Sequence, residues 1–487
     1  MENANKNHGI SLFALIAMVV SSAIGAGVFN LPTTLAAAAT PGVTLIAWGI
    51  TAIGILALAL SLKNLFLNKP ELNGISDYAR AGFGEFAGFL SGWGYWLSAW
   101  LGNIAFATMM MSAVGYFFPT FKSGNSLSAV IVSSIISWLL TIFVVRGVES
   151  AAAINAIVTV CKLVPLAAFG LMAIISFKFG VFTQHFWSNF MTNAQGMISY
   201  SDMTAGGILA QIKGCLMAMM WVFVGIEGAA MLAKRAKKQS DAGKATVIGL
   251  VTLLIVYVVL TMLPYGYLSQ EQLLKVKSPG ILYLFESMTG TLGGAFISIG
   301  MIITIFGAWL SWTILPAEAT SQLAEQRLLP QWFGTLNQHG APSHSLWMTQ
   351  IFIQIFLIST IFAKEAYTFS YSLCTSAIVV CYTLVGAYQL KLGWQTGNKK
   401  WAISGFVALL FQVTALVLAE LSYLWLCSIV YAIGLIFYYY GRRENGFRFS
   451  KLEWTLTGVI IIIALTALGA LLTGHVSVER HKKDKLC

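Results

Sequence analysis

The chain has 487 residues, of which 57% are hydrophobic and only 10% charged, with a formal net charge of +11. Soluble domains carry roughly 25% charged residues, so this composition excludes a water-covered globular surface and places most side chains against lipid or one another. The positive charge is spread over short connectors with no continuous basic face, which excludes nucleic acid as a partner.

The polar start, Met1 to Gly9, leads into an apolar run that passes glycines and Pro32 without a small-residue cleavage site, and reads as a retained first span. Apolar runs of about 18 or more residues fall near 10–39, 42–66, 83–118, 126–146, 151–177, 208–233, 244–268, 287–318, 346–363, 367–391, 401–421, 423–441 and 454–473. The expected fold is therefore an all-α polytopic membrane protein of 12–13 transmembrane helices. Spans one, three and eight exceed what a bilayer needs, which suits tilted or interrupted helices. A basic polar tail follows at 474–487, and the chain leaves open whether the thirteenth segment crosses.

A cytoplasmic N-terminus puts Lys63, Lys69, Arg80, Arg146, Lys234, Arg235, Lys237, Lys238, Lys244, Arg327, Lys391, Lys399, Lys400, Arg442, Arg443, Arg448 and Lys451 on the inner side. The other loops hold Lys122, Lys178, Lys213, Lys275, Lys277 and Lys364. Seventeen against six favours that orientation by the positive-inside rule.

Two spans carry the functional signal. The first contains Ser21-Ser22-Ala23-Ile24-Gly25-Ala26-Gly27-Val28-Phe29-Asn30-Leu31-Pro32, where glycines and a proline weaken a helix in mid-membrane. A break at that depth survives only where the freed backbone faces protein or a watery cavity. Five spans later, Trp221 to Ala230 repeats the pattern with Gly225 and Gly228, and adds a buried carboxylate, Glu227. Five is odd, so a repeat of spans one to five in spans six to ten is inverted, and glycine-interrupted helices at matching places in inverted halves point to a transporter's binding site. Free N–H groups around Ala26 and Gly27 suit a carboxylate, and carbonyls from Trp221 to Val224 suit an ammonium. An α-amino acid carries both. Close helix packing is the other use such glycines have in membranes.

At these residues the sequence resembles the amino acid-polyamine-organocation superfamily, and within it the basic amino acid/polyamine antiporters. The resemblance runs from about Gly9 to Tyr440 and is carried by Gly25-Ala26-Gly27-Val28-Phe29, by Tyr95-Trp96-Leu97-Ser98-Ala99-Trp100-Leu101-Gly102-Asn103-Ile104-Ala105, by Trp221 to Ala229, and by Trp312-Thr313-Ile314-Leu315. It implies a LeuT-like fold with broken helices 1 and 6: an inverted repeat at 10–178, its partner at 208–391, and additional helices at 401–473. It also implies exchange of an external amino acid, expected to be cationic and arginine-like, for an internal amino acid or amine such as ornithine. Histidine/histamine exchange, tyrosine/tyramine exchange and proton-coupled uptake stay open. The setting it implies is a bacterial plasma membrane, with amino acids, amines and lipid as partners, a homodimer admissible, and no cofactor.

Residue by residue, the resemblance makes Gly25, Ala26 and Gly27, with Ala23 and Ile24 before them, the carboxylate segment. Trp221 becomes an aromatic gate with Val224 beside it, Glu227 a buried acid that couples substrate, Asn103 a side-chain-reading amide, and Trp312 an aromatic along the substrate tail. Glu227 stands on its own chemistry too, because an intramembrane carboxylate costs a few kcal/mol and usually serves a pathway. Among the uncharged polar groups Ser98, Ser311, Ser372, Cys374 and Thr375, the site takes Ser98 and Ser372. Lys162 lies deep in span five; related carriers place a lysine there where sodium-coupled cousins bind a cation, which implies a cation-site mimic or, with Glu227, proton coupling. A structural lysine bonding broken-helix carbonyls is the alternative.

An intramembrane enzyme is disfavoured because His8, His185, His339, His344, His475 and His481 all fall in loops or near ends. No Walker-type loop marks an ATP-driven pump, and no charge ring marks a channel. The six cysteines, Cys161, Cys215, Cys374, Cys381, Cys427 and Cys487, lack metal-ligand spacing.

Overall fold

The computed structural model describes residues 11–72, 74–192, 197–227, 239–418 and 421–473. The expectations for Met1 to Gly9, Gly228 to Ala230, Lys234, Arg235, Lys237, Lys238 and the tail from 474 lie outside the described residues. Ten helices among the described residues are long and apolar enough to cross a membrane. The chain is a multi-pass helical membrane protein.

The first span is two helices, α1 (Leu12–Ala23) and α2 (Gly27–Ala38), followed by α3 (Pro41–Asn68), which has Pro41 in its first turn, where no N–H is needed. A short amphipathic helix, α4 (Ile75–Phe83), precedes α5 (Glu85–Val114). Then come α6 (Leu127–Val145), α7 (Val148–Ile175) and the one-turn α8 (Phe179–Phe182). The connector to the sixth span contains an antiparallel hairpin, β1 (Asn189–Thr192) and β2 (Ile198–Ser201), with Asn189 opposite Ser201. Its continuation is α9 (Ala205–Trp221), α10 (Gln239–Met262), α11 (Pro264–Tyr267), α12 (Gln270–Lys275), α13 (Gly280–Thr289) and α14 (Thr291–Glu325). The last helices are α15 (Ser343–Ser359), α16 (Ala366–Gln395), α17 (Lys399–Leu418), α18 (Leu421–Glu444) and α19 (Lys451–Leu472).

Burial sorts the spans into centre and periphery. In the most apolar stretch of α5, 94% of residues are buried, against 17% in α19, so α5 is a core strut and α19 is largely lipid-facing. Aromatic rings make α5 rigid: Trp96 and Trp100 pack on Phe352 of α15, and the Trp96 indole donates to Thr349 Oγ1 at 2.9 Å. Beside them Ser137 and Thr141 of α6 both donate to Gln350 Oε1, at 2.8 and 2.9 Å. Hydrogen bonds of this kind hold helices together where lipid offers no hydrophobic drive. Small residues do the rest: a Cβ on Gly393 would stand 2.3 Å from Ala402 N, so α16 and α17 meet backbone to backbone.

Two helix junctions have the same shape. Gly84 joins α4 to α5 with φ 88° and ψ −176°, and Gly290 joins α13 to α14 with φ 84° and ψ −176°. Only glycine occupies this region without strain. The apolar runs at 83–118 and 287–318 begin in the last residues of these short helices and pass through both glycines without interruption, which is why the junctions are absent from the sequence reading. The hairpin is likewise missing from it, since its strands are four residues each.

Candidate substrate-binding site

The interruption of the first span has a backbone cause. The Ile24 amide still bonds Val20 O at 3.2 Å, and helical bonding resumes with Phe29 N to Ala26 O at 3.3 Å. Between them, no described backbone carbonyl accepts from the amides of Gly25, Ala26 or Gly27. The α2 helix starts with no side-chain cap at Ala26, so these donors carry the positive end of its dipole.

In the sixth span α9 ends at Trp221, and the next residues coil into tight turns: Phe223 N to Met220 O at 3.1 Å, Val224 N to Trp221 O at 3.0 Å, Ile226 N to Phe223 O at 3.3 Å. Gly225 has φ 109°, which turns the chain away from the helix axis. The carbonyls closing α9 carry the partial negative charge of that helix end.

A cavity of about 360 Å³, its mouth included, lies between the two breaks. Ala23, Gly25, Gly27, Ser98, Trp221, Val224 and Trp312, all expected from the sequence, line it, as does Val222 within the expected carbonyl segment, and so do Gly102, Phe106 and Cys374, which the sequence reading did not assign to the site. Among the described residues its wall holds no charged side chain, so the electrostatics there come from helix ends. Ser98, Gly102 and Phe106 repeat every four residues along α5, a spacing that marks one helix face. That spacing is the signal by which Gly102 and Phe106 could have been found. Cys374 Sγ sits 3.3 Å from Ser98 Oγ.

Glycine at 27 is required by the space: a Cβ there would stand 2.8 Å from both Trp221 Cζ3 and Val222 Cγ1. The Trp221 ring stacks on Tyr371 at 5.1 Å and meets Tyr367 edge-on at 5.6 Å, which fixes its orientation against the cavity.

Four other expected residues are buried without lining the cavity. Glu227 is buried and its Oε2 accepts from the Tyr382 hydroxyl at 2.6 Å and from the Gly225 amide at 3.1 Å, while Oε1 has no partner among the described residues. Asn103 donates from Nδ2 to the Trp312 carbonyl at 3.0 Å, which joins α5 to α14, and its Oδ1 has no partner among the described residues. Ser372 is buried on α16, and Lys162 is buried on α7 at 2% exposure. Ile24 and Ala26 are buried within the break itself.

Residues 10–465 match the amino acid permease family. The chain is 53% identical over 473 residues to an arginine/ornithine antiporter of Latilactobacillus sakei, across 96% of this chain and 98% of that protein. It is 37% identical over 485 residues to an arginine/ornithine antiporter of Pseudomonas aeruginosa, across 96% and 98%. To an arginine/agmatine antiporter of Chlamydia caviae it is 36% identical over 488 residues, across 97% and 98%. A match over nearly the whole chain, added to a cavity set between two helix breaks, means that the chain belongs to the amino acid permease family of the amino acid-polyamine-organocation superfamily.

Proposed function

We propose that this protein exchanges external arginine for internal ornithine by alternating access. The observation that carries the reading is the cavity enclosed by the unbonded amides at Gly25 to Gly27 on one side and the closing carbonyls of α9 on the other. The names of the relatives support the substrate pair. In this reading the substrate carboxylate accepts from the amides of the first break, and its α-ammonium donates to the carbonyls that close the two interrupted helices, Ala23 in the first and Trp221 to Val224 in the sixth. The aliphatic tail lies along Trp312, whose face attracts a guanidinium by roughly 0.5–2 kcal/mol. Ser98 and Cys374 bond the tail's end, and Asn103 offers its free Oδ1. Ser372 is buried on α16, the helix that also carries Cys374.

The matching junctions at Gly84 and Gly290 support two inverted five-helix units, 10–178 and 208–391, with the helices of 401–473 added to them. The charge count of the loops supports a cytoplasmic N-terminus. Glu227 and Lys162 are the buried ionisable groups through which occupancy is sensed, Lys162 in place of a cation and Glu227 through the turn at Gly225.

Binding of labelled arginine to the purified carrier tests this. Competition by ornithine and agmatine, with little by glutamate or leucine, is the expected outcome. Equal competition by leucine or tyrosine would remove the cationic specificity.

A further inference from the structure

Behind the cavity, on α10, the fully buried Tyr257 hydroxyl lies 3.0 Å from Val222 O and 3.3 Å from Ala23 O. Ala23 is the last residue of α1 and Val222 follows the last residue of α9, so one phenol proton is shared between the closing carbonyls of both interrupted spans. Both residues line the cavity, and Tyr257 does not. Its ring is locked. It meets Phe223 edge-on at 5.4 Å, Phe223 meets Trp48 at 6.3 Å, and the Trp48 indole donates to Thr261 Oγ1 one turn along α10 at 3.0 Å.

We infer that Tyr257 is a positioning residue for the substrate's α-ammonium. This rests on the amino acid reading above. Two helix ends of like partial charge repel, and a donor between them holds them at a fixed separation. Each carbonyl oxygen has two lone pairs, so the hydroxyl occupies one from behind and leaves the other for an ammonium in the cavity. Tyr257 thereby sets the spacing of the ammonium site without touching substrate.

The test is a ligand comparison on Tyr257→Phe, which keeps the ring and its packing. Arginine and agmatine carry an amine on the carbon concerned, while 5-guanidinopentanoate is arginine without it. The variant is expected to weaken arginine and agmatine by about five- to tenfold, the size of one hydrogen bond, and to leave inhibition by millimolar 5-guanidinopentanoate within about twofold. Equal weakening of all three ligands would mean a merely structural role, and unchanged or tighter arginine binding would mean that the hydroxyl competes with the ammonium or does nothing; either result overturns the inference. Thermal denaturation of the variant, with Thr261→Val as a second variant that frees the ring and should reproduce the pattern in weaker form, separates loss of fold from loss of positioning. A wild-type carrier that fails to bind arginine would instead defeat the substrate reading.

Discussion

The Tyr382 hydroxyl on α16 donates to Glu227 across 2.6 Å, which ties the only described carboxylate of the sixth span to the helix that also carries Tyr371 and Cys374. This bond connects the break in span six to the wall of the cavity. Losing one donor to a buried acceptor costs about 1–3 kcal/mol, so Tyr382→Phe is expected to lower the carrier's stability by that amount in thermal denaturation. Glu227→Gln should itself abolish most exchange. Combining it with Tyr382→Phe should cost less than the sum, because the two residues share one interaction; strict additivity would show that the contact is not used.

Gly27→Ala is expected to reduce arginine binding more than tenfold at a stability cost of about 1–3 kcal/mol, the usual penalty of overpacking. The added Cβ would stand 2.8 Å from Trp221, and the ring can yield only towards the cavity because Tyr371 backs it. Gly25→Ala should be milder, since the crowded atom is Cε1 of the Phe106 side chain, at 2.9 Å. Titration of both variants with labelled arginine checks the order.

Much of this site was legible in the sequence, for definite reasons. A glycine pair in the middle of an apolar run is costly, so Gly25-Ala26-Gly27 and Gly225-Ile226-Glu227-Gly228 could be found without coordinates. Trp221 and Trp312 needed the family resemblance, because tryptophan is common in these helices. Tyr257, Tyr371 and Tyr382 escaped, since they act on the breaks from helices far along the chain and a buried tyrosine looks like any core aromatic. Asn103 shows the opposite limit: its residue type marked a polar contact, yet only the fold shows its amide committed to the Trp312 carbonyl.

The C-terminal end of α2 is held by a side-chain clamp. Thr40 donates to Gln211 Oε1 from its amide at 2.8 Å and from its hydroxyl at 3.1 Å, and Gln211 Nε2 donates to Ser188 O at 3.0 Å. In a background that retains Cys374 as its one cysteine, Gln211→Ala should speed labelling by an impermeant thiol reagent applied outside by severalfold, and arginine should protect. An unchanged rate would show that the clamp does not restrain the outer gate.

Lys162→Ala is expected to cut exchange at least tenfold and to shift its pH profile, because the ammonium is buried at 2% exposure on α7. Transport with an unchanged pH profile would end the idea that this lysine stands in for a coupling cation.

Arginine and ornithine each carry a net charge of about +1 at neutral pH, so their one-for-one exchange moves no net charge. An imposed membrane potential should leave the rate of arginine/ornithine exchange unaltered. It should alter arginine/agmatine exchange, because agmatine carries about one charge more, having lost the carboxylate.

The central claim is coupled exchange, and uptake of labelled arginine into proteoliposomes loaded in turn with ornithine, agmatine, histamine, tyramine or buffer tests it most directly. The account predicts strong acceleration by internal ornithine over buffer and little by histamine or tyramine. Equal uptake from every load would contradict antiport and make the protein a uniporter or a proton-coupled carrier.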